Sequence, residues 1–183
     1  MAFSSGKYYP EISAGKVFIG STAAAGTTLP ISTGTAMTFG LWNTTTTKNA
    51  VLLRLTGGFT SGTIALGVFG LARIYGAYAT ATANNITAFT DGVFGTTIFS
   101  ASIGDGGGPA MRFTPSAATV VGNVAALWLN AGHEGATGVG PSTGIDYDFD
   151  GVMVAPGNAV FVVGSVAQTA LFSLSLMWAE IDR

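Results

Sequence analysis

The chain has no cysteine, which excludes disulfide staples, thiolate chemistry and cysteine-based zinc sites. It has a single histidine, His133, so a His-rich metal cluster and the paired histidines of a zinc protease are excluded by counting. Charge is scarce as well. Seven Lys or Arg and nine Asp or Glu make up 9% of 183 residues, where a solitary soluble domain carries about a quarter. The cations Lys7, Lys16, Lys48, Arg54, Arg73, Arg112 and Arg183 are scattered and the net charge is −2, so nothing tracks a phosphate backbone and direct nucleic-acid binding is not expected.

What remains is 48% apolar residues and 27 glycines. A surface made mostly of Thr, Ser, Gly, Ala and apolar side chains is a hazard for a free monomer and suits a subunit covered by neighbours. The length fits one domain, 16–183, able to bury a core without staples. Residues 1–15 read as an extended arm, with Phe3, Tyr8, Tyr9 and Ile12 as apolar anchors among Ser, Gly and Pro. A frayed terminus and a tether lying on a neighbouring subunit fit this segment equally. Its polar start does not read as a secretory leader. The uncharged stretch 159–179 is long enough for a membrane helix. However, Phe172, Leu174, Leu176 and Trp178 alternate with Ser173, Ser175, Met177 and Ala179, the period of a strand with one buried face. No membrane partner is expected.

Strand signals recur at 16–19, 36–43, 50–59, 63–78, 94–103, 118–129, 152–154, 159–166 and 170–181. In 50–59, simple alternation puts Val51, Leu53 and Leu55 on one face and Leu52, Arg54 and Thr56 on the other. Gly57-Gly58 suggests a bulge, and Ser61-Gly62 and Ala155-Pro156-Gly157-Asn158 suggest turns. Only 118–129 also suits a helix. The expectation is an all-β fold: an antiparallel β-sandwich, jelly-roll-like, with two facing four-stranded sheets behind the arm.

Catalytic signals are thin. Gly140-Pro141-Ser142-Thr143-Gly144 matches the nucleophile-elbow spacing, but His133 precedes the serine and Asp146 begins a strand, so the order of a hydrolase triad is missing. Glu11, Glu134 and Glu180 could supply paired acids, yet nothing brings them together. Asp146-Tyr147-Asp148-Phe149-Asp150-Gly151 copies the opening of a calcium loop, but the twelfth position is Gly157 and not the closing glutamate. A charged strand face, with Asp146, Asp148 and Asp150 outward, is the simpler reading, and it leaves the trio open to a cation at a subunit junction. Asn43-Thr44-Thr45 and Asn85-Ile86-Thr87 are glycosylation sequons without a leader. No enzyme activity, cofactor or resident metal is expected.

Several patches carry a family likeness: Val17-Phe18-Ile19-Gly20, Phe39-Gly40-Leu41-Trp42-Asn43, Lys48-Asn49-Ala50-Val51-Leu52-Leu53, and the close from Pro156-Gly157-Asn158 to Met177-Trp178-Ala179-Glu180-Ile181. Through them about a third of the chain resembles small structural virion proteins of tailed bacteriophages. The resemblance implies a β-sandwich head protein that decorates or cements an icosahedral shell, often as a trimer. Its partners would be the major capsid protein and further copies of itself, and its place the capsid exterior. The alternative is a receptor- or glycan-binding sandwich of a fibre or tail, for which an exposed Trp42 or Trp128 beside 146–150 would be the signature.

Overall fold

A computed structural model describes residues 11–12, 14–74, 86–102, 107–120, 124–134, 144–149 and 152–183, with 124–134 described by backbone alone. The described residues form fourteen strands: β1 (Val17–Ser21), β2 (Ala36–Met37), β3 (Gly40–Trp42), β4 (Lys48–Ser61), β5 (Gly67–Ile74), β6 (Ile86–Phe89), β7 (Ile98–Ser100), β8 (Arg112–Thr114), β9 (Ala118–Val120), β10 (Val124–Glu134), β11 (Ile145–Asp148), β12 (Met153–Val154), β13 (Ala159–Gly164) and β14 (Leu171–Asp182). Every ladder between them is antiparallel. The all-β, sandwich-like expectation holds.

The arrangement has more layers than the two facing four-stranded sheets of a jelly roll. A six-stranded sheet runs β11-β4-β14-β1-β7, with β12 also on β4; a five-stranded sheet runs β10-β5-β13-β3-β8; and a small third sheet runs β2-β9-β6. β13 shows why. All six of its residues are buried, because Val160 and Val162 enter the core shared with the six-stranded sheet while Ala159, Phe161 and Val163 enter a second core beneath the third sheet. A run of apolar residues without alternation is what a strand covered on both faces requires. β14 has one covered face, and its alternation is as expected: Phe172, Leu174, Leu176 and Trp178 line the main core. Phe113 on β8 stacks on Trp178 at 5.7 Å, tying the two large sheets together. The described residues of the 118–129 region, 118–120 and 124–129, are extended and not helical, with β9 in the third sheet and β10 in the second.

Two bulges set the phase of β4. The ladder to β14 shifts between Met177 (opposite Arg54) and Trp178 (opposite Leu52), leaving Leu53 as the extra residue. A second shift leaves Thr60 extra, whereas Gly57 and Gly58 pair regularly with Leu174 and Ser173. The bulges therefore lie elsewhere than at the glycine pair. One inserted residue reverses the facing of everything beyond it. Ala50, Leu52 and Leu55 thus point into the main core, while Val51 and Leu53 belong to a separate cluster on the other face. Past β4 the chain reverses through Gly62, whose φ of 101° favours glycine.

Polar anchors hold the margins. Glu180 is buried, accepts from the backbone N–H groups of Ala110 and Met111 at 3.1 Å each, and lies 3.5 Å from Lys48 Nζ. Arg112 ties β8 to the third sheet. Its guanidinium sits 4.9 Å from the Trp42 ring and 4.8 Å from the Phe89 ring, and makes a two-pronged pair with Asp91 at 2.7 and 2.8 Å. The bond to Asp91 raises the Arg112 pKa further. The edge of β7 is blunted, since Ile98 donates its N–H to Val93 O and accepts from Gly95 N–H.

Candidate docking face on the six-stranded sheet

Register places one apolar row, and a second that is charged on β11 and β4 and apolar from β14 to β7, on the side of the six-stranded sheet away from the main core. Directly paired residues share a face. Met153 pairs with Val51, Val51 with Ala179, and Ala179 with Val17; Ala101 follows, donating its N–H to Val17 O. One step along, Asp148 pairs with Arg54, Arg54 with Met177, Met177 with Ile19, and Ile19 with Phe99. The third row is polar: Asp146, Thr56, Ser175 and Ser21, with Ser21 and Ser175 hydroxyls 2.9 Å apart.

A strip of Val, Leu, Ile, Met and Phe on an outward sheet face has to meet something apolar. Part of it does. Ile12 packs with Val51, Ala101 and Met177 around buried Val17, Leu53 and Ala179. The turn that delivers Ile12 is closed by Glu11 and Ile12 carbonyls accepting from Lys16 and Gly15 N–H groups, both at 3.0 Å. The ends of the rows stay open: Met153 is 53% and Phe99 42% exposed. Between them lies a cavity of about 230 Å³ lined by Ile19, Arg54, Thr56, Ser175 and Met177.

Of the expected interface anchors, Ile12 therefore sits on this face, while Phe3, Tyr8 and Tyr9 lie outside the described residues. Asp146 and Asp148 are exposed on β11 at the margin of the same face, as the charged-face reading has it. Asp146 is engaged by Arg54 in two bonds of 2.7 and 2.8 Å, and these hold its carboxyl below the ordinary aspartate pKa. Asp150 lies outside the described residues. Among those described, no group of three His, Cys, Asp or Glu could hold a metal.

Among the described residues, the remaining candidates are not brought together. His133 lies on β10 opposite Val68, and Ser142 is outside the described residues. Trp42 is buried under Arg112 and Phe89, and Trp128 falls on β10, described by backbone alone. Asn43 is fully buried, its amide donating to Lys48 O and Val154 O and its oxygen accepting from Thr45, so that sequon is closed to a glycan in the folded chain. Asn85 is outside the described residues. A second cavity of about 340 Å³ includes Lys16, Lys48 and Glu180, but Lys16 pairs with Asp182 at 3.2 Å and Lys48 with Glu180, leaving opposite charges matched. The docking face itself escapes simple alternation because Leu53 inverts the phase of β4; the signal that was available is the pairing of Met177 and Ala179 on the less apolar side of β14. No family model, curated protein or solved structure matches this chain.

Proposed function

We propose that the protein is a structural virion component that decorates or cements an icosahedral phage capsid through contacts with the major capsid protein and with copies of itself, a trimer being the favoured form. The observation that carries this reading is the apolar outward face of the six-stranded sheet on a chain with only 9% charged residues. Low charge reduces the desolvation cost of covering several faces at once. Phe3, Tyr8, Tyr9 and Ile12 are the anchors that an N-terminal arm would offer to a neighbour in this reading. Further contact surface comes from Val93, Phe94 and Phe99 at one corner, and from Ile31, Leu66 and Val166 where their loops meet. A standard interface takes about 800 Å² from each partner, and symmetry repeats it over the shell. Such a subunit performs no chemistry; it raises the work needed to separate shell proteins. Trp42 is covered and lends the glycan-binding alternative no support, while the side chain of Trp128 lies outside what the structure describes.

The test is cosedimentation of the purified protein with tailed-phage heads stripped of decoration. Saturable binding at a fixed ratio to capsid subunits, with heads made more resistant to heat, supports the proposal. Absence of binding across a panel of heads, or specific retention on a glycan array, overturns it.

A further inference from the structure

We infer that Asp91-Gly92 is a site of spontaneous isoaspartate formation restrained by Arg112, so that the clamp joining β8 to the third sheet also sets how fast the chain converts there. The inference is independent of what the protein docks on.

The chemistry needs only the chain and solvent. Glycine after aspartate favours it, because no side chain shields the glycine nitrogen and the backbone there turns most freely. The Gly92 nitrogen attacks Asp91 Cγ and gives up its proton, and a carboxyl oxygen leaves as water, closing a five-membered succinimide. Water then adds back. Cleavage of the bond between Cγ and nitrogen restores aspartate. Cleavage at the backbone carbonyl leaves the main chain running through Cβ and Cγ, with a free carboxylate on Cα.

Asp91 lies between β6 and β7 with its side chain 51% exposed, open to water. The glycine beside it is fixed by space. A Cβ on Gly92 would lie 2.9 Å from Thr97 Oγ1, itself bonded to Val93 N–H, and 3.1 Å from Ile98 Cγ1. The fold therefore keeps a reactive pair at this position and holds both reacting ends. Gly92 donates its N–H to Phe113 O at 2.7 Å. The Asp91 carboxylate accepts from Arg112 Nε at 2.8 Å and Nη2 at 2.7 Å. Ring closure has to break both restraints, since the nitrogen must leave Phe113 and Cγ must turn from the guanidinium to meet it. Arg112 is in turn fixed between the Trp42 and Phe89 rings. Conversion releases it. Isoaspartate adds a methylene to the main chain and carries its carboxylate on a shorter branch, which no longer matches the two-pronged pair.

The test is to hold the protein warm at neutral pH for weeks and to follow isoaspartate at position 91 by mass spectrometry with electron-transfer fragmentation. Arg112→Ala is expected to raise the rate several-fold. Arg112→Lys, which keeps a cation without the planar fork, should fall between the two. Ile86→Ala loosens the third sheet without touching the clamp, and should stay near the unmodified rate. Equal rates with and without Arg112, or an equal rise in Ile86→Ala, overturn the inference. A second comparison does not depend on any variant folding. A synthetic peptide of residues 87–95 is expected to convert several-fold faster than the intact protein, and equal rates again overturn the inference.

Discussion

Among single residues, Glu180 shows how so few charges are placed. Its carboxylate is buried, yet satisfied by two backbone N–H groups and by Lys48, joining β14 to the segment before β8. Replacing it with Ala leaves those donors without their acceptor, and Glu180→Ala is expected to lower unfolding free energy by about 1–3 kcal/mol in urea titrations. A change within experimental error would mean that water replaces the carboxylate freely. Asp146 is the opposite case, exposed and held by Arg54. Its folded pKa is depressed, so any stability from the pair is present above the unfolded pKa and lost as pH falls through the folded one, in the region below about pH 4. The expected outcome is a carboxyl titration, followed by NMR, that moves up toward the ordinary aspartate value in Arg54→Ala. The effect on the melting temperature at neutral pH is expected to be small, because exposed pairs contribute little.

At the level of elements, some strands could be read directly and others could not. β14 and β13 were legible because burial on one face or both leaves an unambiguous pattern in the residues. β4 was legible as a strand but not in its facing, since the extra Leu53 is visible only once the ladder to β14 is drawn. The third sheet was not legible as a sheet: β2 and β9 fall inside the strand signals at 36–43 and 118–129 but β6 falls in none, and strands of two, three and four residues are too short for periodicity to assign them to a separate layer over the second core. Ile12, expected from the sequence as an anchor, packs on the chain's own six-stranded sheet, and the position of that face depended on register. Arg112 is the side chain that most directly ties that third sheet down, through Trp42, Phe89 and Asp91. Arg112→Ala is therefore expected to speed amide hydrogen exchange in β6 and β9 while β13 and β14 keep their protection. Uniform acceleration across all three sheets would show that the layers open as one unit.

On the scale of the whole molecule, an interior built to ordinary rules carries an exterior that is not ordinary. Phe99, Val93 and Phe94 form an apolar corner beside the blunted edge of β7, and Met153 closes the other end of the outward row. Such positions are expected to meet neighbours rather than hold the fold together. Phe99→Glu should weaken self-association by about tenfold or more while leaving thermal unfolding of the subunit nearly unchanged. Sedimentation velocity of the unmodified protein from micromolar to millimolar concentration is the most direct test. A closed oligomer that becomes populated as concentration rises is the expected result, and a species that stays monomeric and soluble to millimolar concentration would contradict the idea that neighbours cover this weakly charged surface.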